Sequence, residues 1–266
     1  MGDGHGKVVV ATGWWSPDAR SPWSVGDDLI RSSAFFPLWH RQVMRCLDPA
    51  AILVTDSASP NKPDFSAFSR VQVASLDRNY GHANDLRVNS LPTRYSGFTR
   101  SVLMGAMFAL CCEADFYVYV EQDCLLRGED FLSAAISDPS FDFYCGAWPE
   151  NARTFHGGEA ARMPQRSLQI ARRVGIVRLI ETILSAPEGD GELSGEAKME
   201  RDMAPLGHLA VPYGRSRPID FSLSHFYAQQ MTLDELLGFL AAEGLAFDTW
   251  FGQLAGQVGA RSPRSR

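Results

Sequence analysis

The stretch Ala114-Asp115-Phe116-Tyr117-Val118-Tyr119-Val120-Glu121-Gln122-Asp123 decides the fold. Its middle is apolar and β-rich without alternating polarity, the pattern of a strand buried on both faces, as in a parallel sheet. It stops abruptly at two acids spaced by one residue. Continued strand geometry turns Glu121 and Asp123 to one side. In open parallel sheets the carboxyl ends of the strands are where ligands bind.

Upstream, two runs have the same texture: Lys7-Val8-Val9-Val10-Ala11-Thr12 and Ala51-Ile52-Leu53-Val54-Thr55. Between them residues 35–44 mix apolar and polar side chains at helical spacing, with Pro37 tolerable near a helix start. The unit reads β-α-β. A third short strand, Val71-Gln72-Val73-Ala74, follows a Pro/Asn/Ser-rich turn at residues 57–63. Residues 96–112 form a clearer crossover helix, with Gly105 where the helix approaches the sheet. Three βα steps thus deliver the acidic pair to a sheet edge.

Downstream, residues 142–148 read as a strand and residues 151–166 as a loop. Residues 167–184 read as an amphipathic helix, capped by Ser167, with Arg172, Arg173 and Arg178 on its wet side. Residues 187–195 are Gly- and Glu-rich and are expected to be mobile. Thr232-Leu233-Asp234-Glu235 has the form of a capping box, opening a helix that Gly244 ends. The basic tail at residues 258–266 is expected to be disordered. With no internal repeat or linker, residues 1–266 are expected to form one α/β domain.

The chain has 266 residues, 45% hydrophobic, 21% charged and 11% aromatic, which excludes a largely disordered or low-complexity protein. Twenty-five basic against 31 acidic residues leave a net charge of −6, which argues against nucleic acid as a partner. The longest apolar run, residues 102–112, is far short of the ~20 residues a spanning helix needs, so no transmembrane segment is expected. Met1-Gly2-Asp3-Gly4-His5-Gly6-Lys7 lacks an apolar signal core, which makes the cytoplasm the expected location. Five cysteines without CxxC spacing read as free thiols.

Chemically, Glu121 and Asp123 offer two hard oxygen ligands suited to Mn²⁺ or Mg²⁺. Such an ion would neutralise charge on a departing diphosphate. The competing reading is an acidic turn that pairs with Arg127. Arg100, at the start of the preceding helix, either holds phosphate or ribose or is a solvated helix arginine.

Taken in order, Val8-Val9-Val10-Ala11-Thr12-Gly13-Trp14, Ile52-Leu53-Val54-Thr55-Asp56-Ser57, Asn79-Tyr80-Gly81, Gly97-Phe98-Thr99-Arg100-Ser101 and Tyr117-Val118-Tyr119-Val120-Glu121-Gln122-Asp123 resemble the landmarks of GT-A fold nucleotide-sugar glycosyltransferases. The pattern is closest to the inverting family 2-like members and covers the first half of the chain. The resemblance implies a Rossmann-like, mixed, mostly parallel sheet flanked by helices. It also implies a nucleotide-binding half at about residues 7–127 and an acceptor-side half at about residues 128–257. The implied activity is metal-dependent transfer from a nucleotide-diphosphate sugar to a hydroxyl of a saccharide, lipid-linked or protein acceptor. Thr12, Gly13 and Trp14 match the turn that receives the nucleotide, Asp56 the acid on the base, and Arg100 the basic residue near the diphosphate or ribose. Glu121 and Asp123 match the DxD motif, with Asp123 the principal metal ligand and Glu121 reaching the ribose, a water or the metal. Glu in the first place, and the insertion between Gly81 and Gly97, depart from the family pattern.

The second half offers candidates only. Glu200 and Asp202, in Glu200-Arg201-Asp202 after the Gly/Glu-rich segment, are placed as a lid-borne general base or as a solvated charged turn. His225 either completes the metal set or is a packed histidine among aromatics. Trp14 and Trp15 stack on a base, and Trp23 and Trp148 line a sugar site, unless they serve the core. His156 and His208 read as surface residues. Two further functions stay open. A sugar nucleotidyltransferase shares the architecture, although Gly13-Trp14-Trp15-Ser16-Pro17 is not a Gly-rich basic phosphate loop. A non-catalytic sugar-nucleotide-binding scaffold needs neither a base nor a metal.

Overall fold

A computed structural model describes residues 6–17, 25–81, 93–146, 165–193, 195–203 and 206–252. Seven strands form one sheet in the order β3 (Val71–Ser75), β2 (Ala51–Asp56), β1 (Val8–Trp14), β4 (Phe116–Val120), β7 (Gln165–Arg172), β6 (Phe143–Gly146), β8 (Gly207–His208). The first four are mutually parallel, β7 runs antiparallel to both β4 and β6, and β8 is parallel to β6. A two-stranded antiparallel ribbon, β5 (Cys124–Arg127) with β9 (Phe226–Gln229), continues from the end of β4. The result is a mixed, mostly parallel, Rossmann-like α/β domain. Because the chain passes outward from β1 to β2 and β3 and returns on the other side of β1 as β4, the strand order reverses between β1 and β4.

Strand alternation divides the core in two. Val8, Val10, Val118 and Val120 face α1 (Phe36–Leu47) and α6 (Leu233–Ala242), whereas Val9, Ala11, Tyr117 and Tyr119 face α2 (Gly97–Cys111) and α4 (Arg173–Ser185). Pro37 sits in the first turn of α1, where its missing N–H costs nothing. Ser96 caps α2 by accepting from the Thr99 N–H at 3.3 Å. Gly105 lets α2 press onto the sheet, since a Cβ there would lie 2.4 Å from that of Ala11. The capping box at Thr232 and Glu235 is formed, and Gly244 follows α6 at a φ of +66°. All five cysteines are free.

Two expectations are corrected. Residues 165–172 are strand β7, and the helix begins only at Arg173. Ser167 and Gln169 are buried in the sheet and are bonded there by side-chain amides, Gln165 Nε2 donating to Ser167 Oγ at 2.9 Å and Gln169 Nε2 to the Arg166 carbonyl at 2.9 Å, although Gln169 Oε1 has no partner among the described residues. Polar spacing that imitates a wet helix face is here internally bonded. Residues 187–193 are anchored, because Asp190 forms a fully buried ion pair with Lys198 at 2.7 Å and accepts the Ser96 N–H at 2.6 Å. Trp23, Trp148, His156, residues 151–164 and the tail lie outside the described residues. No described helix is long and apolar enough to cross a membrane.

Candidate functional site

The β4 ladder continues one step beyond the strand, with the Glu121 N–H donating to the Ser167 carbonyl at 2.9 Å. A tight turn then leads into β5, closed by the Cys124 N–H on the Glu121 carbonyl at 3.0 Å. This turn swings Asp123 inward, so that only 2% of it is exposed. Its Oδ2 accepts from Arg31 Nη2 at 2.6 Å and its Oδ1 from Gln229 Nε2 at 3.3 Å. The same amide nitrogen makes a very short hydrogen bond to Glu121 Oε2. Gln229 Oε1 in turn accepts from Arg215 Nε at 3.0 Å and Gln165 Nε2 at 2.9 Å. Two carboxylates and two guanidiniums therefore surround one glutamine. Burial pushes the Asp123 carboxyl above its ordinary value and neighbouring Glu121 adds to the rise, while Arg31 opposes both.

At the reversal between β1 and β4, Gln122 ties the two strand ends together. Its Oε1 accepts the Trp15 N–H at 2.6 Å and its Nε2 donates to the Trp15 carbonyl at 3.0 Å. This is the crevice where open α/β sheets hold ligands. Of the other residues expected here, Thr12 and Trp14 are buried on the α1 side, the Trp14 ring lying edge-on to Phe36 at 5.0 Å and Phe65 at 6.2 Å. In this packing the Trp14 ring is part of the core and does not face a base. Gly13 faces α2, where a Cβ would lie 2.7 Å from Ser101 Oγ. Asp56 is fully buried; its Oδ1 accepts the Ser59 N–H at 3.1 Å and its Oδ2 lies 3.5 Å from Lys62 Nζ, so it fixes the loop after β2. Arg100 donates to the Tyr95 carbonyl at 3.0 Å and stands 3.7 Å over the Tyr80 ring.

The acceptor-side candidates are dispersed. Glu200 lies in α5 (Gly195–Asp202), and burial pushes the Cys145 thiol in β6 up, Arg166 pulling it back and the charge of Glu200 adding to the rise. The end of β6 lies at the same sheet edge as Glu121, because β6 and β4 run in one direction. Asp202 is exposed and gripped by Arg201 through two bonds of 2.7 and 2.9 Å, which hold its carboxyl below the usual aspartate range. His225 does not join Asp123. The β5/β9 register pairs Cys124 with Gln229 and Arg127 with Phe226, so His225 stands about 13 Å farther along the ribbon, beside Gly128. There it lines a cleft of ≈ 360 Å³ with Arg45, Arg127, Glu129 and Glu243. The arginines of that cleft are taken by Glu243, and Arg127 pairs with it at 3.1 Å rather than with the β4 acids.

The expected Mn²⁺ or Mg²⁺ does not fit these donors as they stand. Both Asp123 oxygens are engaged, Glu121 shares its donor, and no group of three His, Cys, Asp or Glu side chains among the described residues converges on a common point. Arg31, Gln229, Arg215 and Gln122 escaped the sequence reading. The one signal available was the apolar run Phe226-Tyr227-Ala228 leading into Gln229, which marks a buried strand ending on an amide.

No family model and no curated protein matches the sequence. Among solved structures, 4-diphosphocytidyl-2C-methyl-D-erythritol synthase from Anaerococcus prevotii is similar over 90% of this chain and 96% of its own, with 10% identity and a TM-score of 0.47. A CMP:2-keto-3-deoxy-manno-octonic acid synthetase complexed with CTP is similar over 90% and 100%, with 12% identity and a TM-score of 0.46. A mannosyltransferase from Pyrobaculum calidifontis in complex with GDP-Man and Mn²⁺ is similar over 79% of this chain and 58% of its own, with 15% identity and a TM-score of 0.41. Likenesses this distant carry no activity across to this chain.

Proposed function

We propose that the chain is a glycosyltransferase that moves a sugar from a nucleotide-diphosphate sugar to an acceptor hydroxyl. The observation that supports this most is the Glu121-Gln122-Asp123 turn, which puts two carboxylates in a charged cluster at the β1/β4 reversal while Gln122 clamps the crevice. Arg100, which bonds the Tyr95 carbonyl just ahead of α2, is proposed to serve the nucleotide. In the reaction the acceptor oxygen attacks the anomeric carbon, the bond from that carbon to the phosphate oxygen breaks, and the nucleoside diphosphate leaves with the electron pair. Glu200 is the proposed general base that takes the acceptor proton. Asp202 is the poorer choice, because its two bonds from Arg201 stabilise the charged form and weaken it as a base. No step is assigned to a metal.

The test is release of nucleoside diphosphate from UDP-, GDP-, CDP-, TDP- and ADP-sugars with a mixed acceptor panel, run beside pyrophosphate release from nucleoside triphosphates plus sugar 1-phosphates. The expected result is diphosphate release, cut about 10²- to 10⁴-fold in Glu200→Gln. Pyrophosphate release would make the protein a sugar nucleotidyltransferase instead. Tight binding with no turnover would make it a scaffold.

A further inference from the structure

We propose that the cation serving the diphosphate at the β4 edge is Arg31, with Arg215 beside it, and that donor binding there requires no divalent metal. The inference rests on the transferase reading above and names the chemistry of its donor site.

Arg31 is a built part of the site. It ends a 3₁₀ turn, Asp28–Arg31, whose start is capped by Asp27 Oδ1 on the Leu29 N–H at 2.9 Å. Leu29 and Ile30 are buried, and the Asp27 N–H donates to the Met231 carbonyl at 2.8 Å, just past β9. Gly26, at a φ of +86°, lets the chain lie against Gln230, where a Cβ would come within 2.8 Å of the backbone. The connection after β1 is thereby fastened beside the β9 strand that supplies Gln229.

The charges balance without an ion. Glu121 and Asp123 bring two negative charges, and Arg31 and Arg215 bring two positive ones, the charge a single divalent metal would supply to the same pair. The orientation is also right for an incoming anion. Asp123 is 2% exposed whereas the Arg31 side chain is 28% exposed, so the carboxylate is sealed off while part of the arginine side chain reaches solvent. Asp123 is then a positioning residue that aims Arg31. Arg31 Nε is buried without a hydrogen bond among the described residues, so the cluster holds an unanswered donor. The terminal nitrogens of Arg215 make none there either, its Nε alone being used on Gln229. A guanidinium fork matches phosphate oxygens in pairs, a geometry that a lysine does not reproduce.

The experiment uses the full chain and titration calorimetry with UDP, GDP, CDP, TDP and ADP, each in EDTA and in excess Mn²⁺. The expected result is one diphosphate that binds in EDTA with a Kd within about twofold of its value in Mn²⁺. Arg31→Gln should weaken it about 10- to 100-fold in both buffers, the span of one or two charge-assisted hydrogen bonds, with Arg31→Lys falling between. Binding confined to Mn²⁺ would overturn the role of Arg31 and leave the transferase reading intact. Binding in neither buffer would overturn both. Unchanged affinity in Arg31→Gln would also overturn the role of Arg31; wild type alone decides whether binding needs a divalent metal, and Arg31→Lys covers the case in which Arg31→Gln fails to fold.

Discussion

Glu243 and Asp123 are both nearly sealed carboxylates, at 3% and 2% exposure, each paired with arginine at an end of the β5/β9 ribbon. Around Glu243 the cations are in surplus. Arg45 bonds it closely, Arg127 lies at 3.1 Å, Arg41 at 4.0 Å, and Gln42 donates at 3.0 Å. Glu243 is the C-cap of α6, where the helix dipole disfavours an acid, and the arginines offset that penalty. Arg127 also donates to the carbonyls of Phe221 and Ala242, so α1, β5 and α6 are stitched through one satisfied network. At Asp123 the acids are crowded instead. A like charge, Glu121, shares its glutamine donor, and the fold raises its proton affinity. Around Glu243 the arginines converge on one carboxylate and tie α1, β5 and α6 together, which is architecture, whereas two carboxylates crowded onto one amide at a strand-order reversal mark a place kept for a ligand.

Three substitutions test that contrast. Glu243→Ala is expected to have the largest effect, about 2–3 kcal/mol of lost stability, because it strands arginines around an empty site; the range sits below that of a fully buried pair since Arg45 and Arg127 can partly rehydrate. Denaturant melts should show this with no change in nucleotide affinity. Gln229→Ala is expected to cost about 1–3 kcal/mol by removing the donor common to Glu121 and Asp123, and, unlike Glu243→Ala, it should also abolish diphosphate binding in calorimetry. Asp123→Asn is expected to be the mildest, leaving stability at neutral pH unchanged or raised. Its sign follows from linkage. A carboxyl whose folded value is raised favours the fold most when protonated, and that contribution is lost as pH rises from the ordinary aspartate value through the raised one. The stability of wild type relative to Asp123→Asn should therefore fall across that interval and then level off. A loss above about 2 kcal/mol in Asp123→Asn would place Asp123 in the same class as Glu243.

Much of the sheet was legible because β1, β2 and β4 are buried on both faces and announce themselves as unbroken apolar runs. The helix behind Ser96 was legible through its apolar faces and Gly105. Strand β7 was not, because Ser167 and Gln169 take hydrogen-bond partners inside the sheet and so imitate an exposed helix face. The position of Glu121 and Asp123 followed from strand order alone, whereas their partners did not. Arg31 is 92 residues from Asp123 in sequence and Gln229 is 106, contacts that no local pattern encodes. His225 shows the converse error, since a histidine near the ribbon by sequence lies at its far end by register.

The most direct test of the central claim, that the ligand enters the β1/β4 crevice, is hydrogen exchange with and without the nucleoside diphosphate that binds. The expected result is slowed exchange in peptides spanning residues 13–16, 29–33 and 119–124, with residues 128–131 and 236–243 unchanged. Protection confined to residues 128–131 and 236–243 would put the ligand in the cleft beside Glu243 and contradict the account.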